Sequence, residues 1–463
     1  MHAYVYRVLE NIVGPENITD KDYDIEAYTR DLGAGDEKRA SFVVRPKTNE
    51  QVSTIVHVAN RYRIPIYVRG GGTTHHGAWQ PIQGGILLDM TRMNRIIEID
   101  EENLTATVEA GCTWYKLYKA LKEVGLAHDP REQGGRVGTV GASIAKIGSG
   151  PIGVSKRGRL GWDVLGLEVV LPTGEITKTA AVEYMGTRPF ENRGIGPDIT
   201  HFFIGSMGEL GIFTEVTLRV SPIPHDDYLY FNFTNYKDLE KAGDALSRPV
   251  GDELVFTLQH DVSAPWIRKG GTGIDVEAWI CGYSMEELEF RRRKVREICV
   301  EAGGKEGDPD IAEKIFHRHE GYHWKGLPDY FTKGPVDYVS GYCPLYSLHE
   351  YYDLYNKIVI KKHRMEEEGK TGFGGWLIPR GWGIYVEFVY TDPEERSKIL
   401  EIGDELTKNF CKIGFLPEQL GGHQGLHMAR HSIPRLGPWY ELTKRFKRML
   451  DPNNILNPGL MIR

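Results

Sequence analysis

Three consecutive glycines, Gly70, Gly71 and Gly72, close the apolar run Ile64-Pro-Ile-Tyr-Val-Arg69 and lead into Thr73 and Thr74. An earlier apolar run, Ser41-Phe-Val-Val-Arg-Pro46, is separated from it by Thr48 to Tyr62, where Val52, Ile55, Val56 and Ala59 recur at helical spacing. Strand, helix and parallel strand make one βαβ unit. Glycines at the end of such a strand let backbone N–H groups surround an anion, so Arg69 to Thr74 reads as a phosphate cradle rather than an ordinary tight turn.

Glycine is dense again from Gly134 to Ser143 and through Gly148, Gly150 and Gly153. That density costs conformational entropy and predicts a large, flat partner lying on the backbone. A polar, turn-rich arm with one short helix is expected from Tyr4 to about Ala40. After the cradle come the β-rich runs Gly85–Asp89, Ile96–Asp100 and Thr105–Gly111, then a helix from Trp114 to Val124. Val164 to Glu175 reads as a strand and hairpin turn, and Gly205 to Val220 as a glycine turn entering another strand. Pro222 and Pro224 mark a domain boundary. Beyond them, strands such as Leu229–Phe233, Val276–Cys281 and Gly383–Tyr390 alternate with charged helices such as Met285–Ala302, and a basic amphipathic helix is expected at Leu442–Leu450. The expected organisation is residues 1–224, a cap at residues 225–410, and residues 411–463 returning to the first domain.

With 463 residues the chain has room for two packed domains and a large cofactor. Its 57 Lys and Arg against 64 Asp and Glu give a net charge of -7, unlike the basic footprint of a nucleic-acid binder. No stretch reaches the ~20 apolar residues of a membrane span, and the first residues lack the plan of a signal peptide, so a cytoplasmic location is expected. Cys112, Cys281, Cys299, Cys343 and Cys411 form no C-x-x-C pair, so any electrons handled here need an organic carrier, and the thiols are expected to fill cores.

Val43 to Val52 (Val-Val-Arg-Pro-Lys-Thr-Asn-Glu-Gln-Val), the Arg69-Gly-Gly-Gly-Thr cradle, Thr139-Val-Gly-Ala, Val164 to Gly174, Gly205-Ser-Met-Gly-Glu-Leu-Gly-Ile and Asn457-Pro-Gly occur in one ordered series. The series resembles the flavoproteins of the vanillyl-alcohol oxidase/para-cresol methylhydroxylase type, and within them D-lactate dehydrogenases and the flavin subunit of glycolate oxidase. The resemblance covers nearly the whole chain and implies an α+β fold: a two-lobed FAD-binding domain, an α+β cap, and a tail that returns to the FAD domain. It implies FAD with its pyrophosphate at Arg69, Gly70, Gly71, Gly72, Thr73 and Thr74, continuing through His75, His76 and Gly77. The flavin and ribityl would follow Gly138, Thr139, Gly141, Ala142, Ser143, Ser149 and Gly150. The adenine side would meet Gly208, Gly211 and Ile212, with Trp162, Asp163 and Asn457 completing the set. The linking histidine of covalent relatives falls nearer Thr73, so non-covalent FAD is implied.

Many relatives hold a divalent metal through a His-x-Gly-Asp-Gly-Asn segment and a late Glu-His-Gly segment. Here the corresponding stretches read Arg380-Gly-Trp-Gly-Ile-Tyr-Val-Glu-Phe and Gly421-Gly-His-Gln-Gly, which implies a metal-free site. Oxidation of an alcohol by a flavin then needs a protein base, and His423 matches the family's late histidine. Arg430 or Arg380 would orient an anionic group. His427 and His431 follow on the same face. A cluster from His317 to Trp324 has the residue types of a metal site but reads as a solvated helix. Trp266, Trp279, Tyr322, Trp324, Tyr330, Tyr342, Trp376 and Trp382 suit either an aromatic pocket or a core.

The function implied is oxidation of a CH–OH group, with a 2-hydroxyacid such as D-lactate or glycolate as substrate. An external acceptor such as an iron-sulfur or cytochrome-type protein would take the electrons, and a homo-oligomer is compatible with the resemblance. Three alternatives stay open: a metal-free oxidase of aromatic or other alcohols, a transferase resembling alkyl-dihydroxyacetone-phosphate synthase, and a non-catalytic flavin subunit of a complex.

Overall fold

The computed structural model describes residues 2–29, 38–74, 79–128, 134–148, 160–192, 195–248, 255, 257–261, 273–319, 336–365, 370–390, 392, 394–418, 420 and 422–462. Thr48 caps the Asn49–Tyr62 helix by accepting from the Gln51 N–H at 3.3 Å, and Arg63 ends it in the left-handed region at φ 52°. The helix buries Val52, Ile55, Val56 and Ala59, the stripe read from the sequence.

The strands flanking that helix are parallel but are not neighbours. Ile86–Asp89 inserts between Phe42–Val44 and Ile66–Arg69 and pairs with both, giving a four-stranded sheet with Ile18–Thr19 at one edge. The reason is burial: Ile86, Leu87, Leu88 and Asp89 are all buried, and a strand covered on both faces belongs in the sheet interior. A second sheet is wholly antiparallel, in the order Ile96–Asp100, Thr105–Glu109, Ile212–Arg219, Val164–Val170, Ile176–Lys178. The N-terminal arm carries two helices, His2–Val13 and Asp22–Thr29, where one was expected. Val5, Leu9 and Val13 dock the first against the core of the four-stranded sheet.

An eight-stranded antiparallel sheet follows, ordered Lys305–Glu306, His225–Phe233, Ile274–Gly282, Thr257–Asp261, Thr371–Ile378, Gly381–Val389, Val336–Cys343, Leu416–Pro417. One face is aliphatic and aromatic: Leu229, Phe231, Val276, Ala278, Phe373, Trp382, Ile384, Val386 and Phe388 share a core with the helices Tyr236–Leu246 and Glu395–Lys412. All five cysteines are buried free thiols, as core fillers would be.

The terminal helix begins at Pro438, four residues before the expected start, because Pro438 takes the first helical position after Gly437, whose φ is 47°. The tail then returns to the first sheet. The Ile66 N–H donates to Ile455 and the Asn457 N–H to Ile66, both at 2.7 Å. Lys447, buried, donates to the Glu209 and Leu456 carbonyls at 2.8 and 2.7 Å and pairs with Asp451 at 2.6 Å.

Candidate flavin and substrate site

The Ile66–Arg69 strand delivers its glycines against the start of the Val140–Lys146 helix. A Cβ on Gly70 would lie 2.2 Å from Thr139 Oγ1 and 2.7 Å from Ala142 Cβ, and one on Gly71 would lie 2.0 Å from the Val137 carbonyl oxygen. Two glycine segments far apart in sequence therefore meet with no space for side chains. The N–H groups of Gly71, Gly72 and Thr73 make no hydrogen bond to another described residue. Thr139 Oγ1 is buried without a partner among the described residues.

Beneath the turn, the Arg69 guanidinium is held over the rings of Tyr28 and Trp79 at 5.0 and 5.1 Å and lies 4.0 Å from Asp89. Burial pulls its pKa below the usual guanidinium value, and Asp89 opposes that shift. Gly141 packs on Ala110, whose Cβ would lie 2.5 Å from an added Cβ, and Ser143 Oγ accepts from Trp114 Nε1 at 2.9 Å. Thr74 and Gly138 lie in the same pair of segments. His75, His76, Gly77, Ser149 and Gly150 fall outside the described residues.

The second glycine turn closes the other side. Gly208, at φ 71°, abuts the Asn457 side chain, whose Oδ1 accepts from the Val68 N–H at 2.9 Å while Nδ2 donates to the Met207 carbonyl. Asn457 thus ties the cradle strand to this turn with both ends of its amide. Ser206 Oγ in the turn is buried with no partner among the described residues. Gly211 packs against Val169 and Phe203, and the Ile212 side chain lies in the core of the first sheet. Asp163 is buried just before Val164–Val170, whereas Trp162 is 61% exposed.

The eight-stranded sheet has a second face, of which the sequence offered only Tyr342 and Trp376 as pocket candidates. Register places Glu277 beside Tyr230, Trp376 beside Gly383 and Gly383 beside Tyr342. In the next rows Gly374, Tyr385 and Ser340 align, as do Gly372, Glu387 and Tyr338. Tyr385 lies over Gly374 and Trp376 over Gly383, with the two rings 5.8 Å apart. Glu277, Glu387, Ser340 and Tyr342 are all buried, and Ser340 Oγ and Trp376 Nε1 have no hydrogen-bond partner among the described residues. The signal was present as period-two alternation in Trp382, Ile384, Val386 and Phe388 against Gly383, Tyr385 and Glu387. Alternation of this kind ordinarily denotes a solvated face; here the polar face is buried.

Of the late basic residues, Arg430, His427 and His431 gather on one carboxylate, Asp404, whose Oδ1 lies 2.9 Å from Arg430 Nη1, 3.3 Å from His427 Nδ1 and 3.1 Å from His431 Nε2. Burial pushes His427 below the usual imidazole range, against the pull of Asp404. Burial alone would raise the Asp404 pKa, but the neighbouring His431, His427 and Arg430 hold it down. This cluster fastens the Gly422–Leu436 helix to Glu395–Lys412. His423 stands in the first turn of the former, just after Leu416–Pro417 has paired with Gly341 and Tyr342 at the edge of the polar face. Arg380 is exposed at the two-residue turn between Thr371–Ile378 and Gly381–Val389. His317 lies in the last turn of a helix, Pro309–His319, and pairs with Glu313 at 3.4 Å; residues 320–324 of that cluster lie outside the described residues. Trp279 and Trp382 are core, while Trp266, Tyr322, Trp324 and Tyr330 are outside the described residues.

A family model described as an FAD binding domain matches residues 40–180, the span containing the cradle and the Gly138–Ser143 segment. Over 437 residues, 91% of this chain and 73% of the other, the sequence is 36% identical to the D-lactate dehydrogenase (cytochrome), mitochondrial, of Arabidopsis thaliana. The chain belongs to this family of FAD-binding oxidoreductases. FAD is the oxidoreductase's cofactor, and the side-chain-free cradle with its available N–H donors and orphaned hydroxyl fits that group. Identity to the glycolate oxidase subunit GlcD of Bacillus subtilis is 31% over 247 residues, 53% of this chain and about half the length (50%) of that protein. The fold matches 4-ethylphenol oxidase from Gulosibacter chungangensis and p-cresol methylhydroxylase, each with a TM-score of 0.83 over 99% of this chain and 96% of theirs, at 21% and 19% identity. The expected α+β flavoprotein fold of this type is therefore the one observed. No helix among the described residues is long and apolar enough to cross a membrane.

Proposed function

We propose that this oxidoreductase oxidises the CH–OH group of a small 2-hydroxyacid of the D-lactate or glycolate kind, with bound FAD supplying the hydride acceptor. The observation that carries the reading is the meeting of Gly70 and Gly71 with Val137, Thr139 and Ala142, which leaves the N–H groups of Gly71, Gly72 and Thr73 available to a pyrophosphate. Arg69 adds positive charge beneath it. The relatives' names support the substrate class. The proposed division of labour keeps residues 1–224 with the returning tail for the cofactor and the sheet beyond Pro222–Pro224 for the substrate.

In this reading the substrate lies on the polar face of the eight-stranded sheet, where Ser340 Oγ and Trp376 Nε1 offer hydrogen bonds that no described residue uses. His423 takes the hydroxyl proton, a task suited to imidazole near neutral pH. Arg380 orients the carboxylate, since Arg430 is engaged by Asp404. No metal is assigned a role. An external iron-sulfur or cytochrome-type protein accepts the electrons, and the cytoplasm is the compartment assigned. A second reading, oxidation of an aromatic alcohol, is favoured by the Trp376 and Tyr385 rings on the same face.

The test is an anaerobic absorbance titration of the FAD-loaded protein with D-lactate, glycolate and aromatic alcohols. Bleaching of the flavin by a hydroxyacid is the expected result. Bleaching only by aromatic alcohols selects the second reading, and a flavin that nothing bleaches rejects both in favour of a transferase or a subunit without catalysis. His423→Ala is expected to slow flavin reduction by roughly 10²–10⁴-fold; an unchanged single-turnover rate removes His423 from the mechanism.

A further inference from the structure

The terminal helix, Pro438–Leu450, is fixed by its inner face and leaves an outer face that the flavin site does not use. Tyr440 and Lys447 are buried, whereas Trp439 is 57%, Leu442 49% and Met449 68% exposed. At 100° per residue these three side chains fall within one quadrant of the helix, with Arg445 about 40° beyond its edge and Arg448 about 100° beyond it on the same side. Phe446 lies at the same quadrant and meets Phe202 edge-on at 5.0 Å, and Ile199, one turn earlier on Ile199–Phe203, is 51% exposed. The exposed apolar stripe thus continues onto a second helix.

Charge discriminates among partners for this stripe. Arg435, Arg445 and Arg448 are exposed and pair with no carboxylate among the described residues, in a chain whose net charge is -7. Large apolar side chains in line, a tryptophan among them, with unpaired arginines beside them match a helix that lies flat in the headgroup layer of a bilayer. At 13 residues the helix is about 20 Å long at 1.5 Å per residue, too short to span a bilayer. Apolar side chains on such a helix enter the acyl boundary without needing a shape-matched pocket, while arginines reach lipid phosphates.

We propose that Trp439, Leu442 and Met449, with Arg435, Arg445 and Arg448, form a docking surface for an anionic lipid bilayer. The protein would bind the surface peripherally, and the docking does not depend on which alcohol is oxidised. The experiment is co-sedimentation of the FAD-loaded full chain with phosphatidylcholine vesicles, with and without roughly a third phosphatidylserine. Binding is expected to the anionic vesicles, to weaken as salt is raised, and to fall by about tenfold in W439S/M449S and in R445E/R448E. Flavin absorbance and circular dichroism of both variants should match the parent, since the altered side chains are exposed. Absence of binding to anionic vesicles, or binding that both variants retain, overturns the proposal. So does a parent protein that is dimeric in light scattering and becomes monomeric in W439S/M449S, which would assign the stripe to a second copy of the chain.

Discussion

Gly71 shows how one missing carbon shapes the proposed cofactor site. An added Cβ would sit 2.0 Å from the Val137 carbonyl oxygen, and backbone on both sides prevents relief by a rotamer change. Gly71→Ala is expected to reduce FAD occupancy by about tenfold or more, equivalent to ~1.4 kcal/mol, read from the flavin-to-protein absorbance ratio of the purified protein. Equal occupancy would remove this turn from the cradle. His260 makes a different prediction. It is fully buried among Tyr236, Phe373 and Trp382, with Tyr236 Oη 3.4 Å from Nδ1, and burial pushes its pKa down from 6.5 to about 3. Between those values the unfolded chain holds a proton that the folded chain lacks, so the contribution is present above pH 6.5 and is lost as pH falls toward 3. Denaturant midpoints should drop on acidification across that window, and His260→Leu should flatten the drop; an equal slope in the variant would assign it to other groups.

At the scale of elements, the terminal helix depends on one buried ion pair. Lys447 and Asp451 are 5% and 1% exposed, and Asp451 also accepts from the Ile455 and Leu456 N–H groups at 3.0 and 2.9 Å. Lys447→Met leaves that carboxylate buried without its cation and strips a donor from the Glu209 and Leu456 carbonyls, at a cost of roughly 3–5 kcal/mol. Chemical denaturation should show the loss; a change under about 1 kcal/mol would mean that water replaces the ammonium. The Gly422–Leu436 helix is held otherwise, by Asp404 at the meeting point of His427, Arg430 and His431. Asp404→Asn should slow flavin reduction with FAD occupancy unchanged, because the helix carries His423 and no part of the cradle. Loss of flavin in that variant would contradict the separation.

Over the whole molecule, the tail clasps the Ile66–Arg69 strand to the Met207–Gly208 turn. Asn457 joins Val68 to Met207, Ile455 and Leu456 enter the core of the first sheet, and Glu209 accepts from the N–H groups of Met461 and Ile462. A chain ended after Leu450 should therefore lose FAD and melt lower than the full chain. Retention of flavin with an unchanged melt would show the contacts to be dispensable.

The glycine cradle, the amphipathic Asn49–Tyr62 helix and the flavoprotein fold were determined by the sequence itself, because glycine tolerance, cap residues and hydrophobic period act over a few neighbours. The tertiary structure alone decided that Ile86–Asp89 would separate the two parallel strands of the βαβ unit, since strand order follows burial on both faces. It also decided that Arg430 would meet Asp404 and that the alternating strands would bury their polar face. Those outcomes depend on which distant segment covers a side chain, and local spacing carries no record of that.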